Sequence, residues 1–180
     1  SKYLNKKDKK TVTLFADGAG AAVLTTTQGG DRGFLGSKHL VEGQYHEWMG
    51  IYGGGTHFPI SSKSLANGDH FLQFTRRFPE KKNVETWTWM IRSLCQQLAI
   101  DPNDIDHYFM TQININSIHE TMDSLRIQRD KAYTIMDKYG YTGAACIPMA
   151  LDDAVQTGTL KKNDLLLMIT SGGGLSFTAV

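Results

Sequence analysis

Residues 165–170, LLLMIT, form an uninterrupted apolar run between a polar segment and the glycine cluster at 171–174. A strand of this composition has no polar face to turn toward water, so both of its faces must be covered, as in a central strand of a layered α/β sheet. Residues 176–180 read as an edge strand returning beside it. Upstream, Val84, Trp87, Ile91, Leu94, Cys95 and Leu98 recur at helical spacing between a cap at Asn83 and a stop at Asp101-Pro102. Residues 105–112 read as a strand, and Asn114 caps a second helix that turns Ile115, Ile118, Met122 and Leu125 inward. Residues 133–136 read as a short strand, and a first strand is expected around 34–41. The alternation predicts an α/β fold with a mostly parallel, five-stranded mixed sheet and helices on both faces.

Within this frame one stretch, residues 136–155, carries more than packing requires. Tyr139, Gly140 and Tyr141 make a turn, residues 142–146 are small, and Pro148 opens a helix with Leu151, Ala154 and Val155 on one face and Gly158 as its C-terminal cap. Small residues at a helix start admit a close backbone or a ligand. The unpaired amides there favour a partial negative charge such as a thioester oxygen. Tight packing of helix on strand accounts for the same composition. Cys146, near that helix start, is a candidate nucleophile, although its small apolar neighbours suit a packed thiol equally well.

The front of the chain is less regular. Lys2, Lys6, Lys7, Lys9 and Lys10 cluster in a polar segment that reads as a solvated arm. Residues 11–15 and 19–26 suggest two strands joined by an Ala16-Asp17-Gly18 turn. The glycines here lack the spacing of a dinucleotide fingerprint, and no helix follows to receive a pyrophosphate. Residues 44–82 read as a long loop region with one short helix, and loops of this length are usually functional. His39, His46, His57 and His70 show no metal-ligand spacing.

The 180 residues carry a net charge of +1 with both signs interspersed, which gives no electrostatic support for a nucleic-acid or anionic-membrane partner. No apolar run approaches the roughly 20 residues needed to span a bilayer. Two cysteines, Cys95 and Cys146, in apolar surroundings fit a reducing, cytoplasmic compartment better than a disulfide scaffold.

Four motifs occur in order: LFADGAGAAVL at 14–24, DHYFMTQIN at 106–114, YGYTGAACIP at 139–148 and LLLMITSGGG at 165–174. Together they resemble the back half of a β-ketoacyl carrier-protein synthase III of the thiolase superfamily, over nearly the whole chain. The resemblance implies that residues 1–28 hold the last strands of an absent amino-terminal half and that residues 29–180 form the carboxyl-terminal thiolase-like domain. It also implies a cysteine nucleophile preceding Ser1, and thioesters of coenzyme A or phosphopantetheine as substrates, with no covalently bound cofactor. Acyl carrier protein and acyl coenzyme A are the implied partners, a homodimer the implied assembly of the longer protein, and Lys9 or Lys10 an implied phosphate contact.

In such synthases a histidine and an asparagine assist catalysis, and here Thr111 and Tyr141 stand at their places. Gly173 occupies the position whose amide helps form the oxyanion hole, and Asn114 matches a residue that contacts the pantetheine arm. Thr111, Tyr141 and Gly173 are therefore the candidate catalytic residues, expected to converge on one cavity, and Asn114 is the candidate substrate contact. A threonine or tyrosine hydroxyl can donate to a developing oxyanion, yet neither is a base near neutral pH, so decarboxylative condensation is in doubt while acyl transfer is less so. The resemblance equally suits a non-catalytic partner subunit or an acyl-thioester-binding protein.

Overall fold

The structure is a computed structural model that describes residues 2–26 and 32–180. In chain order the elements are α1 (Lys9–Val12), β1 (Lys38–Val41), β2 (Met49–Gly50), α2 (Ser62–Asn67), β3 (Gln73–Phe74), α3 (Lys82–Leu98) and β4 (His107–Met110). They continue with α4 (Ile115–Leu125), α5 (Met136–Tyr139), α6 (Cys146–Gln156), β5 (Leu166–Gly172) and β6 (Ser176–Ala179).

The main sheet has the order β1-β6-β5-β4. β4 and β5 are parallel, pairing Tyr108 with Leu167 and Met110 with Ile169, whereas β5–β6 and β6–β1 are antiparallel. The class is α/β as expected, but among the described residues the sheet has four strands and a single parallel pair rather than five mostly parallel strands. The expected strand at 133–136 reduces to a parallel bridge between Tyr108 and Ala132 and one hydrogen bond from Tyr133 N–H to Tyr108 O at 2.9 Å. The chain turns into α5 at once, which leaves no length for a ladder.

Alternation along the strands builds a core on each face. Tyr108 and Met110 of β4, Leu167 and Ile169 of β5, and Phe177 and Ala179 of β6 pack beneath α3 and α4, against Trp87, Met90, Ile91, Leu94, Ile118 and Met122. Phe109 turns the other way onto Ile147, Ala150 and Ala154 of α6. The α3 stripe is core, as its spacing requires. The helix starts after Lys81 with no side-chain cap, so Asn83 lies inside it, and it ends at Ala99 in the left-handed conformation. Val155, expected on the inner face of α6, is 55% exposed because that face is already closed by Ala150 and Ala154.

The front differs from the sequence expectation most. Residues 11–15 are not a strand: Asp8 caps the short helix α1, and only Phe15 bridges, in parallel, to Tyr141. Residues 19–26 form no strand and are exposed, since no neighbouring chain offers them a ladder. Gly18 and Gly20 lie so close to α6 that a Cβ would fall 2.6 Å from Met149 Sδ and 2.6 Å from the Pro148 ring, respectively. The first strand is confined to residues 38–41 at the sheet edge, and the boundary expected near Gly29 lies outside the described residues. Residues 44–82 hold α2, with a Ser61–Ser64 capping box, and the β2–β3 ribbon.

Candidate functional site

The parallel pair β4–β5 delivers two chain ends to one edge of the sheet, the usual place for a site in such a fold. At the end of β5 the chain reverses through residues 172–176, with Gly174 at φ 136°, a conformation that side chains resist. Beyond the reversal, Leu175 exchanges two backbone hydrogen bonds with Glu42, at 2.8 and 3.0 Å. The Glu42 carboxylate is paired with Lys82 Nζ at 2.5 to 2.7 Å.

Beside this loop lies a cleft of about 770 Å³. Its lining includes Asn114, Ser117, Tyr141 and residues 171–173 together with the charged residues Lys10, Arg76, Arg77, Glu80 and Lys82. Leu14, Met49, Phe74, Phe78, Ile113 and Leu175 supply apolar surface. The aromatic contacts are continuous: Tyr141 lies against Phe15 (5.2 Å between centroids), Phe15 against Phe74 (6.2 Å), and Phe74 against Phe78 (6.5 Å). Arg76 sits 5.6 Å above the Trp48 ring, within cation–π range. The cleft thus combines apolar surface, polar groups and the exposed cations Lys10, Arg76 and Arg77, with Glu80 as its acidic lining residue. Such a surface complements a ligand with an apolar stem and an anionic end.

Tyr141 is fixed by its backbone, which exchanges hydrogen bonds with Ala16 N–H (2.8 Å) and Leu14 O (3.2 Å). Burial first, and the neighbouring Cys146 second, push its phenol up to about 12. The hydroxyl is therefore a neutral donor at physiological pH. Asn114 is exposed, lines the cleft and caps α4, its Oδ1 accepting from Asn116 N–H at 3.0 Å. Gly173 has ordinary room, its virtual Cβ 3.5 Å from Met49 Cε.

Thr111 is placed differently from expectation. It is 3% exposed and does not line the cleft; its Oγ1 accepts from Ser171 N–H at 2.8 Å. Tyr141, Gly173 and Asn114 come together around one cleft, and Thr111 lies behind the loop. Cys146 is 2% exposed and its thiol is pushed up by burial, a shift opposed by hydrogen bonds from backbone groups including Gln112, so it remains a packed thiol. Cys95 is likewise buried and raised. Among the described residues no group of His, Cys, Asp and Glu has the arrangement of a metal site, and no helix is long and apolar enough to cross a membrane.

Two family descriptions match this chain: 3-oxoacyl-(acyl-carrier-protein) synthase III C terminal over residues 95–180, and 3-oxoacyl-(acyl-carrier-protein) synthase III over residues 1–43. The chain belongs to the 3-oxoacyl-(acyl-carrier-protein) synthase III family. A beta-ketoacyl-(acyl-carrier-protein) synthase III from Sulfurovum sp. is 33% identical over 179 residues, which is 99% of this chain and 53% of that protein. The chain thus spans about half the length of the curated relatives it matches. The crystal structure of the synthase III from Aquifex aeolicus superposes with a TM-score of 0.82 at 27% identity, over 99% of this chain and 53% of the other. That from Pseudomonas aeruginosa gives 0.84 at 21% identity over 99% and 53%, a likeness of fold.

Within this family frame, Arg76 and Arg77 are the site residues that sequence reasoning missed. They fall in a segment without periodicity, and the only local signal was a pair of aromatics, Phe74 and Phe78, flanking a basic pair. Of the basic residues at the amino terminus, Lys10 lines the cleft.

Proposed function

We propose that this chain contributes the back half of an acyltransferase of the synthase III type, acting on thioesters of coenzyme A or acyl carrier protein in fatty acid or related biosynthesis. The carrying observation is the cleft, where the residue 171–173 backbone and Tyr141 lie in one trough with a cationic rim of Lys10, Arg76 and Arg77. In this reading the Gly173 amide and the Tyr141 hydroxyl donate to the thioester oxygen, where charge develops during attack. The Asn114 amide contacts the pantetheine arm, and the rim binds the phosphates. The substrate brings its own thioester, so no bound cofactor is required. Residues 1–28 complete the other half of the thiolase-like body and residues 29–180 form this one, in a cytoplasmic homodimer that meets acyl carrier protein.

Both cysteines are buried and the cleft holds no histidine, so the 180-residue chain alone does not condense acetyl coenzyme A with malonyl carrier protein. Measurable condensation by it would overturn this assignment. Binding is the direct test: titration calorimetry of the chain with acetyl coenzyme A gives a saturable isotherm, and the double variant Arg76→Glu/Arg77→Glu weakens it at least about tenfold, the loss expected from charge-assisted contacts. An unaltered chain that binds neither acetyl coenzyme A nor coenzyme A ends the proposal. A threonine at 111 and a tyrosine at 141, where the resembled synthases have a histidine and an asparagine, also suit a non-catalytic subunit that shapes a partner synthase. That alternative predicts that the chain raises the activity of an added synthase while Tyr141→Phe has no effect.

A further inference from the structure

We infer that the adjacent residues Thr111 and Gln112 are a pair of positioning residues. Thr111 sets the glycine loop, and Gln112 sets the backbone leading to Tyr141, so that Gly173 and Tyr141 meet at one cleft. The functional part rests on the acyl-thioester reading above; the structural part does not.

The argument begins where β4 runs out. Thr111 N–H continues the parallel ladder by donating to Ile169 O at 3.1 Å. The Thr111 carbonyl does not serve the next rung; it accepts from Ile113 N–H at 3.0 Å as the chain bends toward α4. The amide of Ser171 is left on the opposite strand without a main-chain acceptor, and Thr111 Oγ1 takes it at 2.8 Å. A side chain thus replaces a backbone group at the last rung before the glycine loop. A buried amide hydrogen demands such a partner.

Gln112, in the turn that follows, is fully buried. Its Oε1 accepts from Ile135 N–H at 2.9 Å, and its Nε2 donates to Tyr133 O at 3.0 Å and Met110 O at 3.4 Å. Every polar group of this carboxamide is engaged with backbone, so none is spare for a ligand. The segment it pins, residues 133–135, runs through α5 into Tyr141, and α6 begins just beyond. Two consecutive residues therefore hold the glycine loop and the backbone leading to Tyr141 from behind, and neither of them lines the cleft.

The test compares Thr111→Val, which keeps the shape and loses the acceptor, with Thr111→Ser, which keeps the acceptor. Amide hydrogen exchange by NMR is followed at residues 171–173, with the Phe109 and Met168 amides as core controls. Thr111→Val speeds exchange at 171–173 about tenfold, the size expected for one lost intramolecular hydrogen bond, while the controls hold. Thr111→Ser restores protection. In parallel, Thr111→Val weakens binding of acetyl coenzyme A and leaves that of coenzyme A unchanged, because only the carbonyl meets the loop. Unchanged protection at 171–173, failure of Ser to restore it, or equal acceleration of the controls overturns the positioning role. If Val prevents folding, the unaltered chain decides: a Ser171 amide that exchanges as fast as an exposed one refutes the clamp. If the unaltered chain binds no thioester, the acyl-transfer reading falls and the exchange data alone judge the clamp.

Discussion

Residues 82–180 and residues 2–81 are comparably rich in large apolar side chains, and they treat them in opposite ways. In the first region Trp87, Met90, Tyr108, Phe109, Met122, Ile169 and Phe177 are at most 1% exposed. In the second, Leu4 is the only described residue counted in the hydrophobic core, while Val23 is 96% exposed, Leu24 93%, Phe34 73% and Val41 71%. Composition does not explain this, since Val23 and Leu24 are as apolar as Leu167. The difference is the presence of an opposing surface. β4 and β5 are covered by α3 and α4 on one side and α6 on the other, whereas β1 is an edge strand and residues 19–26 have no strand beside them. Yet the cleft draws on both regions: Tyr141, Asn114 and Gly173 come from the packed one, and Lys10, Arg76, Arg77, Phe74 and Phe78 from the open one.

The largest effect expected from this contrast is in the core. Trp87→Ala costs about 3 to 5 kcal/mol in denaturant unfolding, the range for deleting a large buried aromatic, whereas Leu24→Ala changes stability by less than about 0.5 kcal/mol. A Leu24→Ala loss of several kcal/mol would show that the open region is packed after all.

Alkaline titration sharpens the comparison next. Tyr141 holds its proton up to about pH 12 in the folded chain but only to about pH 10 when unfolded. Between these values the folded state binds more protons, so raising the pH favours unfolding. Its contribution is complete below pH 10 and is lost by about pH 12, at most roughly 3 kcal/mol. Burial raises Tyr108 and both cysteines in the same direction. Melting temperatures recorded from pH 8 to 12 fall, and Tyr141→Phe makes the fall shallower; an unchanged slope would place that phenol in solvent.

Gly20→Val probes the contact between the regions, because its Cβ would stand 2.6 Å from the Pro148 ring. Overpacking there costs about 1 to 3 kcal/mol, and limited proteolysis should cut residues 16–26 faster. A stable, equally resistant variant would mean that this strap does not rest on α6. The smallest effect is Asn114→Ala, which removes the α4 cap for about 1 kcal/mol. It should weaken binding of acetyl coenzyme A as well, and a stability loss with unaltered affinity would assign Asn114 to the cap alone.

Much of the packed region was readable from the chain because its signals are local and periodic. The α3 stripe, the Asn114 cap, the apolar run that became β5 and the glycines that reverse it each follow from neighbours within a few residues. The misreadings at 11–15, 19–26 and 133–136 share one cause. β-propensity states that a segment fits a ladder, and a ladder exists only where another strand supplies one. Phe15 and Ala132 each obtained a single bridge and no more.

The candidate site divides along the same line. Sequence by itself determined that a hydroxyl side chain stands at each of positions 111 and 141, and that a glycine loop follows a buried strand. Tertiary structure alone decided that Tyr141, Asn114 and Gly173 share a cleft, that Arg76 and Arg77 form its rim, and that the Thr111 hydroxyl is spent on Ser171. The physical reason is that a hydroxyl's role depends on which partner lies within about 3 Å, and the Ser171 amide lies 60 residues away along the chain.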